Sequence, residues 1–200
     1  MSIGRLALAV SVFSAAVVAV AAQQPKPAPV TQKPTMMAAS ISITGAEKAT
    51  WDNYKSDLSK SAEQMPEKDY SFRPPTMPAA DKKEIRTFGE ILLHVAEENG
   101  LFCSVAGGMT APADTATAAT SKAAVQKALA DSFTLCDKVW AATNEKNGST
   151  PVEMPFNLGH STRLAVLAFN TAHDAEHYGN VVTYLRAKGL VPPSSQPAGK

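Results

Sequence analysis

The chain has 200 residues, 44% hydrophobic and 18% charged, with a formal net charge of +1, which describes one ordinary domain rather than a disordered or fibrous chain. Nineteen basic against eighteen acidic side chains provide no large positive footprint, so nucleic acid is not an expected partner. Two cysteines cannot build a disulfide-rich scaffold or a Cys-based zinc site by themselves, and four histidines are few enough to take singly.

Residues 1–22 read as a signal peptide. Arg5 supplies a short positive start, residues 6–20 form an uncharged apolar run, and Val20-Ala21-Ala22 offers small residues for cleavage. About 15 apolar residues fall short of the roughly 20 that a membrane span needs. The expected product is exported, periplasmic or secreted, with no stable membrane insertion after cleavage. Residues 23–41 carry Pro25, Pro27, Pro29 and Pro34 and read as a disordered linker. The folded domain is expected over 42–191, with a disordered tail at 192–200.

No segment shows the sustained alternation of a strand, whereas four show helical spacing. The first opens with Thr44-x-x-Glu47, a capping-box pattern, carries Trp51, Tyr54, Leu58 and Met65 on one face, and stops at Pro66. A second capping signal, Asp81-x-x-Glu84, precedes Ile85, Phe88, Leu92, Val95, Phe102 and Val105, and Gly107-Gly108 ends that helix. The third is expected over 121–147, with Val125, Leu129, Phe133, Cys136, Val139 and Trp140 as its apolar stripe. The fourth begins near Ser161 or Thr162 and ends at Lys188-Gly189, followed by Pro192-Pro193. Four such helices predict an all-α four-helix bundle, and the long links at 66–80 and 148–160 permit a topology other than simple up-and-down.

His173 and His177 lie four residues apart, so both imidazoles share one helix face and can reach one point. The competing reading is two polar side chains on a solvated face beside Asp174 and Glu176. His94 sits in the apolar run Ile91-Leu92-Leu93-His94-Val95, where a buried ring nitrogen needs a partner. Packing the second helix on the fourth would bring three imidazoles together and leave a coordination position for water or substrate. Zinc or nickel suits imidazole best, with iron, cobalt or manganese also allowed, and affinity should fall below about pH 6.5 as histidine protonates. His160 lies roughly 20 Å along a straight helix from His173 and reads as a terminal or loop residue. Glu97 and Glu98 share the side of His94 and are the weak catalytic candidates, each either holding an imidazole N–H or serving as a base. Asn170 reads in the same way, and Tyr184 either lines the cavity or belongs to the core.

The segments "MPEKDYSFR" at 65–73, "TFGEILLHVAEENGLFCSVAGG" at 87–108 and "NTAHDAEHYGNVVTYLRAKGLVPPSS" at 170–195 resemble the DinB-like superfamily. The resemblance implies an up-down-down-up four-helix bundle with a long crossover, and a divalent metal held at His94, His173 and His177. Characterised relatives include metal-dependent thiol transferases and isomerases, and many members have no assigned reaction.

Cys103 follows His94 by nine residues, about half a turn away at roughly 100° per residue, and so points away from the histidines. Cys103 and Cys136 read either as buried free thiols or, in an oxidising compartment, as a disulfide. Two functions compete. One is a metal-dependent hydrolase or transferase acting on a small-molecule substrate; the other is a non-catalytic metal- or small-ligand-binding module. A homodimer is compatible with either.

Overall fold

The computed structural model describes residues 42–75, 85–112 and 121–197, so the leader, the linker and the Asp81/Glu84 signal lie outside the described residues. Four helices dominate: α1 (Ile43–Gln64), α2 (Phe88–Gly107), α3 (Lys122–Ala141) and α4 (Arg163–Ala187). Among the described residues no helix is long and apolar enough to cross a membrane.

The ends of these helices follow local hydrogen-bond chemistry, with two shifts from expectation. The box at Thr44/Glu47 does not form. Ser42 caps α1 by accepting from the Gly45 amide at 3.0 Å, and Glu145, just past the end of α3, takes the Thr44 amide at 3.1 Å. With two amides of the first turn satisfied from outside, Thr44 lies within the helix, and it is buried. At α2 the box belongs to Thr87 and Glu90: the Glu90 amide donates to Thr87 Oγ1, and the Thr87 amide donates to Glu90 Oε2 at 2.6 Å. Ile85 is therefore outside the helix. Gly108, with φ +66°, closes α2 in the left-handed conformation that glycine adopts without strain.

Ser121 caps α3, but the helix ends at Ala141, short of the expected Asn147. Asn144 and Asn147 make the turn instead, through Asn147 Nδ2 to the Ala142 carbonyl at 2.8 Å and the Asn144 amide to Asn147 Oδ1, also 2.8 Å. Short polar side chains that bond their own backbone compete with the helix in this way. Two short strands were not expected: β1 (Pro151–Glu153) pairs antiparallel with β2 (His160–Thr162), with Glu153 opposite His160. The hairpin tip places Phe156 and Asn157 at φ 60° and 58°. Ordered structure also continues past Val191, where Pro193–Ser195 forms a 3-10 turn and the Ser194 amide donates to the Tyr178 hydroxyl at 2.9 Å.

Named contacts fix the topology. α2 and α3 run parallel, because Cys103 is joined to Cys136 and a Cβ on Gly107 would stand 3.2 Å from Val139 Cγ2. α1 opposes α3: Lys122 Nζ bonds the Glu63 and Met65 carbonyls at one end, and Glu145 meets Thr44 at the other. α2 opposes α4, since Asn99 meets Asn170 and the Ala106 carbonyl accepts from Arg163 Nε at 2.8 Å. The order is thus up-down-down-up. The long crossover is the link at 108–121, which must return the chain over about 30 Å between parallel helices of 20 residues each.

Trp51, Phe88, Leu92, Leu129, Trp140 and Leu167 are among the fully buried side chains around which the four helices close. The rings of Trp51 and Trp140 lie 6.2 Å apart at the α1–α3 contact.

Candidate metal centre

The antiparallel contact of α2 with α4 decides where the histidines go. His94 projects from the second turn of α2, and His173 and His177 project from one face of α4. His173 Nε2 lies 3.2 Å from His94 Nε2 and 3.1 Å from His177 Nε2. The ring centroids of His94 stand 5.0 and 4.7 Å from those of His173 and His177. All three ligating nitrogens fall within 4.8 Å of one another. His160 is elsewhere, exposed on β2.

The chemistry of this donor set fits a divalent ion. A neutral imidazole presents at Nε2 either one proton or one lone pair. His173 Nε2 faces two other Nε2 atoms at hydrogen-bond distance, and one proton cannot form a good bond with both. A cation that accepts three lone pairs satisfies all three nitrogens at once. Nitrogens about 2.0–2.1 Å from one ion lie roughly 2.8–3.0 Å apart at octahedral angles and roughly 3.3–3.4 Å apart at tetrahedral ones, so the observed 3.1 and 3.2 Å fall between the two.

The electrostatics keep those lone pairs available. Burial is the main cause that lowers the His94 pKa to about 4, helped by the charges of Arg86 and His177. His173 is also lowered to about 4, first by burial and then by His177, His94 and Arg86. His177 is lowered by burial and by Arg86, with Glu176 pulling the other way. Imidazoles in this state are neutral at physiological pH.

Around the rings the supports differ from residue to residue. Glu98 Oε1 lies 4.0 Å from His94 Nδ1, and burial raises the Glu98 pKa above the usual carboxylate range. Asn180 Nδ2 lies 3.3 Å from His177 Nδ1. Glu97 is half-buried on the same helix. Asn170 does not hold a histidine: it is fully buried and bonds Asn99. The solvated-face reading fails at Asp174, which is fully buried, although Glu176 is exposed as expected. On the other side of the centre, Phe102 faces His173 with ring centroids 6.1 Å apart.

His177 also lines a cavity of about 870 Å³ whose wall includes Ile85, Arg86, Ile91, Asn180 and Tyr184. Tyr184 does line the cavity, and its hydroxyl also donates to the Arg86 carbonyl. Arg86 and Asn180 were not singled out from the sequence. Asn180 carried a signal, since it follows His177 by three residues on the same face. Arg86 precedes the helix, and nothing in its spacing marked it. The two cysteines form a disulfide, Cys103–Cys136, with Cα atoms 5.2 Å apart, so neither is a ligand.

No curated protein matches this sequence. The family model of the DinB superfamily matches residues 51–181, a span that runs from Trp51 in α1 to Val181 in α4 and contains all three histidines. With more than half of its length covered by that match, the chain belongs to the DinB superfamily.

Proposed function

We propose that this protein is an exported, metal-dependent hydrolase or transferase acting on a small molecule, with a divalent ion held by Nε2 of His94, His173 and His177. The observation that carries the reading is the convergence of three neutral imidazole nitrogens, one of them on His177 in the wall of an open cavity. Zinc and nickel are the preferred ions for this donor set. Bound there, such an ion would serve as a Lewis acid toward water or a substrate oxygen. Three protein ligands leave a coordination position open, which distinguishes a reactive site from a closed structural one.

The chain's own residues have separable tasks. Glu98 is placed to orient His94 through its Nδ1 side, and its raised pKa lets it hold a proton at a higher pH than an ordinary carboxylate. Asn180 is placed to orient His177 in the same manner. The apolar leader supports export, and the Cys103–Cys136 disulfide suits an oxidising compartment.

The test is the metal stoichiometry of purified wild type and four variants, compared at equal folded fraction by circular dichroism. His94→Ala, His173→Ala and His177→Ala should each lose the ion, while His160→Ala keeps it. Loss in His160→Ala with retention in His94→Ala would overturn the assignment. Turnover is then sought by a substrate screen on the metal-loaded form.

A further inference from the structure

We propose that Arg86 is a substrate anchor, and that the molecule bound beside the histidine centre carries a carboxylate or phosphate group on a short, partly apolar body. The proposal depends on the metal reading only for where the reacting end of the substrate lies.

Three observations carry it. The first is position. Arg86 lines the same cavity as His177, and the stretch of α2 from Phe88 to His94 rises by about 9 Å, within reach of an arginine side chain and a small ligand together. The second is fixation. The Arg86 carbonyl accepts from the Tyr184 hydroxyl, and the next residue, Thr87, is locked into its capping box with Glu90. The backbone that carries the guanidinium is therefore pinned on its C-terminal side. The third is an unspent charge. The neighbouring Arg73 pairs with Glu90 at 3.5 Å, whereas among the described residues no carboxylate lies within 4.0 Å of the Arg86 guanidinium.

A guanidinium offers a planar fork of donors that matches carboxylate and phosphate oxygens in pairs. Ile85 and Ile91 add apolar wall, and Asn180 adds a side-chain amide. A cavity of about 870 Å³ is ample for a small organic anion. Tyr184 acts here as a positioning residue, since its hydroxyl holds the Arg86 backbone.

The experiment titrates three probes into zinc-loaded wild type, Arg86→Gln and Arg86→Lys by calorimetry: succinate, phosphonoacetate and neutral imidazole. Loss of a charge-assisted contact should weaken anion binding by about 10- to 100-fold in Arg86→Gln. Arg86→Lys should recover part of it, and imidazole should bind all three proteins alike. Preference for succinate or for phosphonoacetate distinguishes the carboxylate from the phosphate form of the anchor. Equal anion affinity in wild type and Arg86→Gln, or no anion binding by wild type, overturns the proposal. Zinc stoichiometry of the same samples tests the metal reading separately, because a protein without zinc fails there and not in the comparison of Arg86 variants.

Discussion

Asn170 Nδ2 donates to Asn99 Oδ1 at 2.6 Å, joining α4 to α2 through two fully buried amides. Asn170 precedes His173 by three residues and Asn99 follows His94 by five, so the pair sits beneath the histidine centre on both helices. It fixes how far one helix slides on the other, and with that the meeting point of the imidazoles. Asn170→Leu leaves Asn99 with a desolvated carbonyl oxygen and should cost about 1–3 kcal/mol. Removing both partners in Asn99→Leu/Asn170→Leu should cost less than the sum of the single changes. Urea unfolding of the four proteins measures this coupling, and strict additivity would mean that the amides do not act as a unit.

The lowered histidine pKa values set a pH dependence of stability in the metal-free protein. His94 and His173 take up protons near pH 6.5 when unfolded but near 4 when folded. Between those values the unfolded chain binds more protons, so stability should decline as pH falls from 6.5 toward 4. The raised carboxyls of Glu98 and Asp174 act with the opposite sign, since the folded state keeps protons that the unfolded state has released. The urea midpoint of His94→Asn/His173→Asn should therefore drop less between pH 7 and pH 5 than that of wild type. Zinc binding should likewise persist below pH 6.5, farther than ordinary histidine titration suggests, because protons compete poorly for these nitrogens.

The features legible in the sequence were those set by local chemistry. Helix periodicity, the Pro66 stop and the glycine ends of α2 and α4 all depend on residues within a turn or two. The histidine pair was legible for the same reason, and His94 from its apolar neighbours. The misplaced caps show the limit: Thr44-x-x-Glu47 has the right pattern, but Glu145, a hundred residues away, takes the Thr44 amide. Of the three segments that carry the resemblance, the first and the last show their purpose only in three dimensions. Lys188 Nζ pairs with Asp69 at 2.8 Å and stands 3.9 Å over the ring of Phe72, which itself packs edge-on against Tyr184. The segment 65–73 and the end of α4 thus form one clamp, and that clamp leads to Arg86. Arg86 was illegible because its importance comes from the cavity, which no stretch of sequence contains.

Lys188→Met tests the clamp. It removes the ion pair and the cation–π contact together while keeping most of the side-chain volume. Since the Lys188 and Asp69 side chains are largely buried, at 26% and 16% exposure, leaving Asp69 without its cation should destabilise by about 1–3 kcal/mol. Chemical unfolding reads the loss. A midpoint equal to that of wild type would show that the segment 65–73 is held by its aromatic contacts alone.

Asp174 presents the opposite case, a charge-bearing residue buried with no hydrogen-bond partner among the described residues. Both carboxyl oxygens are buried and accept no hydrogen bond among the described residues, and burial raises the pKa well above 3.8. At neutral pH the unfolded chain ionises this group freely while the folded chain resists, so the residue opposes folding there. Asp174→Asn keeps the shape and removes the ionisation, and should raise Tm at pH 7.5 by about 2–4 °C for each kcal/mol recovered. The gain should shrink toward pH 4, where the unfolded carboxyl also holds its proton. Thermal melts of both proteins at the two pH values decide the matter, and a lower Tm for Asp174→Asn at pH 7.5 would contradict it.

The disulfide gives the last expectation, because it ties α2 to α3 across the crossover. Cys103 and Cys136 are both fully buried and lie 33 residues apart in sequence, so the bond closes a loop that contains the whole link 108–121. Closing a loop of that size limits the unfolded chain by roughly 3–4 kcal/mol on the chain-entropy account. Cys103→Ala/Cys136→Ala should lose stability of that order in urea, and wild type unfolded under a thiol reductant should match it. Folded wild type should resist the same reductant, because both sulfurs are shielded by the core. Mass spectrometry of alkylated protein supplies the readout: two modified cysteines after unfolding in reductant and none in its absence. Alkylation of both cysteines without reductant would mean that the bond does not form, and would remove one of the two supports for export.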